Sequence, residues 1–509
     1  MQRAFPFAPR LSIMEITAKP IVSSRRGRKI IIGGISFVLV TAIVGLILLH
    51  KFWPFTENAV RSDLGAAASA DVRFGSFHEQ YFPPGCVAEN VIFQRDGDGA
   101  HLAEIRRLTI TSGLSGLLRH HVSLVKAEGL HVTTAAKGLG QNQLRKQTTI
   151  DKFVADDAVL EIPRKNSKAL RFVFHSFSLS NLNGDGETRF AAAFDNPLPP
   201  GVISTNGQFG PWNTGDPAAT AVSGKYELQN ADLSVFDGIA GTLSSDGIYG
   251  GTFKRMTVKG DTRMPRFVVT KTGHGVPLDS HFNATIDALN GDVNLQQVAA
   301  HFGKDSITAK GSIARREDGK RSAILDLACE RGRVEDTFYP FIHSPKPPLA
   351  GEIAFQMHVV LPSGHEPFLK KLQAESSFKI QNARFTSRKL ETRVSLVSSP
   401  HDRDETATLT NFQGSIKMNN GIAHFTNLSA QDDDAAALLN GSYDLTDQKV
   451  NLHGRLKTEA SLAKTTHGIK AVFAKAIEPF FKKKPHETVV PVHVGGTYSH
   501  PSFGLDLGS

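Results

Sequence analysis

The pattern of apolar and polar positions changes once along the chain, from one uninterrupted apolar stretch to alternation. The uninterrupted stretch covers residues 30–49, IIIGGISFVLVTAIVGLILL, and contains no charged side chain. A helix rises about 1.5 Å per residue, so a stretch of this length covers roughly 30 Å, the hydrocarbon thickness of a bilayer. The pattern therefore predicts a transmembrane helix over residues 30–50, preceded by a basic cytosolic tail over residues 1–29.

The flanking residues predict the orientation of this helix. Positive charge is retained on the cytoplasmic side and aromatic rings favour the headgroup layer, so the bulk of the chain is expected outside the cytoplasm. A cleavable signal peptide would have a shorter apolar core with a cut site close behind it. The apolar stretch of this chain is longer, so an uncleaved anchor is favoured. The basic residues before the helix are Arg25, Arg26, Arg28 and Lys29, and Lys51, Phe52 and Trp53 follow it.

Beyond residue 70 apolar side chains recur at every second position, which is typical of strands with one apolar face. Val87, Val91 and Phe93 share a face in this way, and the alternation is densest between Phe153 and Leu182. Polar turns rich in Gly, Asn and Asp separate the strands and predict hairpins. The turn at residues 181–186 resembles the opening of a calcium loop, but alanine stands where the closing carboxylate should be, so no metal site is predicted.

A short glycine-containing motif recurs within the predicted strands. Glycine inside a strand often marks a bulge or a bend, and its recurrence at uneven spacing predicts one long sheet that bends regularly. The segment 195–216, rich in Pro, Gly and Asn, predicts a boundary or a long crossing loop. The expected regions are N-terminal (51–200), middle (201–365) and C-terminal (366–509). The motif occurs at residues 223–226, 250–253, 310–313, 440–443 and 495–498.

Few helices are predicted. Short ones are expected from Phe55 to about Ala70 and over residues 232–238, 335–341 and 365–373. The longest, over residues 462–481, is amphipathic, and it could pack on the sheet, contact a membrane or cap an apolar groove. Its apolar positions include Ile469, Val472, Phe473, Ala476 and Phe480.

Composition adds three constraints. The net charge of +9 suits a position near an anionic membrane, and no basic stretch with interleaved aromatic residues indicates nucleic acid. Cys86 and Cys329 lack metal-ligand spacing, so buried free thiols or a single bridge are the alternatives. Phe is abundant, at 33 residues against 6 Tyr and 2 Trp, which indicates much apolar surface with little need for polar ring atoms.

No pattern in the chain indicates catalysis. The 20 His residues are scattered, and neither HExxH nor GxSxG nor a Gly-rich phosphate loop occurs. His120 and His121 are adjacent in a predicted strand and would project to opposite faces. We therefore expect a protein that is not an enzyme, with no catalytic residues, no metal and no cofactor.

The order of several motifs resembles the AsmA-like family of bacterial envelope proteins. The resemblance covers most of the chain in pieces, and it depends on the order of the motifs behind one N-terminal anchor. The motifs are FPPGCVAENVIF, GLSGLLRHHVSLVKAEGLHVTT, FVADDAVLEIPRKNSKALRFVFHSFSLSNL, LAGEIAFQMHVVLPSG with the following FKIQNARFTS, and VPVHVGGTYSHPSFGLDL.

Membership of that family would imply an elongated, repetitive antiparallel β-sheet folded lengthwise into a groove, related to bridge-like lipid transfer proteins. It would also imply a role in phospholipid transport or homeostasis between the inner and outer membranes. The chain would be a single-pass protein of the bacterial inner membrane with its bulk in the periplasm. The expected partners are phospholipids or other acyl-chain lipids, the inner membrane, and an outer-membrane or periplasmic protein.

Alternation alone fits a groove, a sandwich or a solenoid, and the scarcity of helices together with the abundance of Phe favours the groove. The alternative function is a non-enzymatic scaffold or assembly factor for outer-membrane proteins or the cell envelope, with a closed core and no bound lipid. With one strand about every 12 residues and rows ~4.8 Å apart, the sheet would reach roughly 180 Å at most. The candidate groove-lining residues are Val91, Phe93, Phe172, Phe174, Val490, Val492 and Val494.

Overall fold

The computed structural model describes residues 53–506 apart from internal gaps. The predicted basic tail, the transmembrane helix 30–50 and the amphipathic helix 462–481 lie outside the described residues. Within the described part of the chain, no helix is both long and apolar enough to span a bilayer. The gaps are residues 69, 96–100, 118–120, 134–148, 165–166, 183–185, 214, 271–273, 304, 316–320, 342–346, 348, 365, 387–407, 433–434, 459–487 and 498–499.

The chain is mostly β, as the alternation predicted: strands hold 75% of the described residues and helices 9%. Helix α1 (Glu57–Ala68) confirms the helix expected after Phe55. The other helical turns lie in connections between strands, and the last four of them overlap the short helices predicted from the sequence. These turns are Leu114–Leu117, Pro217–Ala219, Leu233–Val235, Val334–Thr337, Tyr339–Phe341 and Phe368–Lys371.

The first nine strands form the N-terminal part of one long sheet. Neighbours along the chain pair in antiparallel fashion, except that β5 pairs in parallel with β6 and β7, which lie end to end. The strands are β1 Ala70–Arg73, β2 Ser76–Gln80, β3 Gly85–Arg95, β4 His101–Thr111, β5 His121–Thr133, β6 Thr149–Asp156, β7 Ala158–Arg164, β8 Ser167–Leu182 and β9 Thr188–Pro197.

The middle strands continue the sheet without a break. The segment 195–216 is not one long loop, because only two residues separate β9 from β10, and β10 pairs with β9 along its whole length. Pro200 stands at the first position of β10, where a missing N–H is tolerated. The strands are β10 Pro200–Phe209, β11 Ala221–Asp232, β12 Ile239–Ala240, β13 Thr242–Thr252, β14 Met256–Val269, β15 Gly275–Asp287, β16 Asp292–Phe302, β17 Asp305–Arg315 and β18 Arg321–Arg333.

The last eight strands complete the same antiparallel sheet. Because β1 with β2, β6 with β7 and β12 with β13 share rows, the 26 strands of the described residues form 23 rows. At ~4.8 Å per row the sheet measures about 105 Å along its surface, well below the expected upper limit. The strands are β19 Leu349–Pro362, β20 Gln373–Phe385, β21 Thr408–Asn419, β22 Ile422–Asp432, β23 Ala435–Asp444, β24 Lys449–Thr458, β25 Thr488–Thr497 and β26 His500–Leu505.

The recurring glycines lie opposite β-bulges at two of the predicted positions. Gly311 and Gly441 both have φ of +149°. The register of the preceding strand shifts beside each of them. A Cβ on Gly311 would lie 2.0 Å from the carbonyl oxygen of Ile324 in the next strand. These glycines are therefore required by backbone geometry, which confirms the bulges expected from the motif.

Dry cores lie at the two ends of the sheet. At the N-terminal end, α1 and the preceding residues pack on strands β1–β7, with Trp53 and Val60 buried against Val72 and Val91. At the C-terminal end, Ile353, Leu456 and Val490 belong to a second core that extends from the helical turn Val334–Thr337 through β19 to β26. Neither core includes a residue of β9–β18 among the described residues.

Candidate functional site: the apolar face of the middle strands

The middle strands, β9–β18, carry one apolar face and one polar face. In β15, Leu278 and Phe282 lie on the apolar face, whereas Asp279 and His281 lie on the exposed polar face. The register keeps the apolar positions aligned across strands, since Phe282 pairs with Gly260 and with Val298. The apolar face is thus continuous from strand to strand.

Many large side chains of the apolar face are only half-buried, although Met264, which pairs with Leu278, is buried at 5% exposure. The small residues Val258 and Ala284 are buried, at 6% and 1% exposure, so the backbone is well covered. The larger side chains keep exposed surface and leave part of their burial free energy, about 1.5–3 kcal/mol each, unrealised. They include Phe194, Leu228, Phe282, Val298 and Leu327.

Aromatic rings line the start of this face. The ring of Phe194 lies 4.9 Å from that of Phe174 and 6.0 Å from that of Phe172 in the neighbouring strand. Phe190 and Phe209 are 6.1 Å apart. Tilted and edge-on contacts at these distances are favourable and leave the outer ring edges free for a further apolar contact.

A band of hydroxyl groups crosses the apolar face between β10 and β15. Tyr249 Oη lies 2.8 Å from Thr205 Oγ1, and Tyr226 Oη lies 3.0 Å from Ser245 Oγ. Burial raises the pKa of both phenols, so they stay protonated. Because the hydroxyls satisfy each other, the tyrosines present ring faces rather than unpaired polar atoms.

Both tyrosine rings lie over glycines of neighbouring strands. A Cβ on Gly224 would be 2.5 Å from Tyr249 Oη, and a Cβ on Gly260 would be 2.6 Å from Tyr226 Oη. Sequence reasoning missed this arrangement. Its signal was present in the motif at residues 223–226, where Gly224 and Tyr226 are two residues apart and therefore on one face.

The connections between strands form the two long edges of the sheet. The first edge contains the turn 81–84 and the connections that follow β4, β10, β13, β15 and β19. The second edge contains the connections that follow β9, β11, β14, β16 and β18. This assignment follows from the antiparallel register, which alternates the direction of successive rows.

The two edges meet at one point. Phe368, after β19 on the first edge, contacts Gly238, after β11 on the second edge, since a Cβ on Gly238 would lie 2.5 Å from Cγ of Phe368. Strand β13 has 11 residues, so the edges of a flat sheet would be about 35 Å apart. The contact therefore requires the sheet to curl.

Substitution of Gly238 tests this edge contact. Gly238→Val is expected to lower the free energy of unfolding by about 1–3 kcal/mol, because its φ of +91° disfavours a side chain and Phe368 occupies the space. Denaturant unfolding followed by circular dichroism measures the change. The matched control is Gly364→Val, where a Cβ has no neighbour within 4 Å. Equal stabilities of the two variants would contradict the edge contact.

On the polar face, imidazoles pair with carboxylates of neighbouring strands. His281 Nδ1 lies 2.9 Å from Asp261 Oδ1, and His358 Nδ1 lies 2.7 Å from Asp326 Oδ1. These pairs are exposed, so each contributes at most about 1 kcal/mol to the free energy of unfolding. Among the described residues, no three His, Cys, Asp or Glu side chains are grouped so as to hold a metal ion. Further pairs are His121–Asp151, His131–Glu161, His175–Asp195 and His453–Asp506.

The structure places the candidate groove-lining residues in two different environments. Val91, Val490 and Val492 are 0% exposed and Val494 is 8% exposed, so the end cores leave them almost no surface for a ligand. Phe93 is half-buried against the N-terminal core. Phe174 is likewise half-buried against that core, whereas Phe172 is half-buried beside Phe194 and continues the apolar face of β9. The apolar surface outside both cores therefore lies in β9–β18, between the ends. The helix positions Ile469, Val472, Phe473, Ala476 and Phe480 lie outside the described residues.

Both cysteines are free and buried. Burial raises the pKa of the Cys86 thiol from 9.0 to about 12. At pH 8 the folded chain should therefore hold about a thousandfold less Cys86 thiolate than the unfolded chain. Iodoacetamide labelling followed by peptide mass spectrometry should show Cys86 alkylated quickly only in denaturant. Rapid labelling of the folded chain would contradict the closed N-terminal core.

In comparisons with known proteins, no family model matches the chain. No curated protein and no solved structure matches it either. The resemblance to the AsmA-like family therefore remains one of short motifs and their order along the chain.

Proposed function

We propose that the chain is an inner-membrane-anchored periplasmic protein that takes part in phospholipid transport or homeostasis between the inner and outer membranes. The observation that carries this proposal is the apolar face of β9–β18, on which many large side chains are only half-buried. A continuous apolar face is unfavourable in water unless an apolar partner covers it. Acyl chains are flexible and wholly apolar, so they can cover a face built from side chains of unequal size.

In this proposal the curled sheet forms an apolar groove. The contact between Phe368 and Gly238 supports the groove, because it brings the two long edges of the sheet together. The dry cores at the two ends confine the lipid to the middle strands. The paired tyrosine and threonine hydroxyls do not interrupt the groove, because they are satisfied within the sheet.

The length of the sheet bears on how such a protein would work. A contour of about 105 Å is an upper limit for the span of a curled sheet, since curling shortens the distance between its ends. A partner in the outer membrane or the periplasm is therefore part of the proposal.

Native mass spectrometry with lipid extraction tests the proposed function. The full chain would be purified in a detergent whose mass differs from that of any phospholipid, and it would be washed extensively. We expect several phospholipids bound to each folded chain. A stably folded chain without lipid would contradict the proposal and would favour the alternative of an anchored scaffold with a closed core.

A further inference from the structure

An exposed apolar patch lies on the first edge of the sheet, at its first strands. Phe82 is 84% exposed, the highest value for a large apolar side chain among the described residues, and Leu114 and Tyr81 are 64% and 52% exposed. Isolated exposed apolar residues are common on soluble surfaces. Three exposed apolar side chains in adjacent connections form a patch, which indicates contact with an apolar partner.

Two contacts hold the patch together. The backbone N–H of Ser112 donates to the carbonyl oxygen of Pro84 at 2.7 Å, which ties the turn 81–84 to the connection that contains Leu114. Gly85 pairs with Thr111, so the two connections leave the sheet side by side. Phe82 and Leu114 therefore lie on neighbouring connections of the same edge.

The position of the apolar stretch 30–49 indicates what covers the patch. The ring of Trp53 lies 5.0 Å from that of Tyr81. Trp53 follows Leu49 by four residues, which can span at most about 14 Å. The end of a helix over this stretch would thus be within a short distance of the patch, on the same edge of the sheet.

We propose that Tyr81, Phe82 and Leu114 insert into the headgroup and upper acyl layer of the bilayer that holds residues 30–49. This inference rests on the membrane anchor of the proposed function. Aromatic and aliphatic side chains at the end of a transmembrane helix favour this interfacial layer. The patch then holds the N-terminal end of the first edge on the membrane surface.

Fluorescence quenching in nanodiscs tests the inference on the full chain. Phe82→Cys and Leu114→Cys would each be labelled with the environment-sensitive dye NBD and reconstituted with phosphatidylethanolamine and phosphatidylglycerol. The native thiols are buried and should not react. The matched control is Leu289→Cys, because Leu289 is 66% exposed and lies on the same edge far from the patch.

We expect the emission at positions 82 and 114 to shift to the blue and to fall by about half or more when doxyl lipids are included. The label at position 289 should change little. Quenching at 82 and 114 no stronger than at 289 would overturn the inference. A blue shift without quenching would identify a protein surface as the occupant and would overturn it too.

These outcomes are separable from those of the proposed function. Quenching at positions 82 and 114 in a chain that carries no lipid in the native mass spectrum would support the docking surface and contradict the transport function. Failure of the chain to enter nanodiscs would contradict both the membrane anchor and the docking surface.

Discussion

Placing aspartates on the apolar face of the middle strands is expected to remove at least half of the bound phospholipid. The double variant Phe194→Asp with Phe282→Asp puts two carboxylates where acyl chains would lie, and a charge in hydrocarbon costs about 2.5–3.5 kcal/mol. Both side chains are half-buried, so the free energy of unfolding should fall by only about 1–2 kcal/mol for each. Native mass spectrometry counts the lipid, and denaturant unfolding measures the stability.

The matched control is Ile248→Asp on the polar face. Ile248 is 61% exposed and pairs with Lys225 and Lys259 on its two sides. An aspartate there meets two positive charges in water and should change neither stability nor lipid content. Equal lipid content in the double variant and in the control would contradict the assignment of the apolar face to lipid.

An aspartate placed in one of the end cores is expected to lower the stability of the fold. Val490 is 0% exposed and pairs with Leu456, which is also 0% exposed. A carboxylate without a partner at this site should cost about 3–5 kcal/mol of stability. Val490→Asp should therefore unfold the C-terminal core at a much lower denaturant concentration than the wild type.

The neighbouring residue supplies the control for this experiment. Val489 is 55% exposed and projects from the other face of β25. Val489→Asp should change the free energy of unfolding by less than about 1 kcal/mol. If Val490→Asp lowered the free energy of unfolding no more than Val489→Asp, the C-terminal core would not be closed. That result would contradict the difference between closed end cores and an open apolar face in the middle strands.

Much of the sheet was predictable because alternation is a local property. The strands around Val91 and Phe172, the helix after Phe55 and the bulges at the recurring glycines all follow from neighbouring residues. The apolar face of β15 could likewise be derived from Leu278 and Phe282. Period two reports which side chains share a face, and that information is present in a few consecutive residues.

The rest depends on contacts between distant residues. Val490 and Phe282 occupy equivalent alternating positions, yet Val490 is fully buried and Phe282 is half-buried, because the alternation does not reveal what covers a face. The contact of Phe368 with Gly238 joins connections seven rows apart, so no pattern in neighbouring residues predicts it. The strand β10 was missed because Pro200 and its neighbours resemble a loop until the pairing with β9 is known.

Photocrosslinking tests most directly the claim that lipid covers the apolar face. The photoreactive residue p-benzoylphenylalanine would replace Phe282 or, as a control on the polar face, Ile248 in the full chain produced in bacterial cells. After ultraviolet irradiation, mass spectrometry should find phospholipid attached at position 282 and none at position 248. No phospholipid adduct at 282, or equal adducts at both positions, would contradict the account.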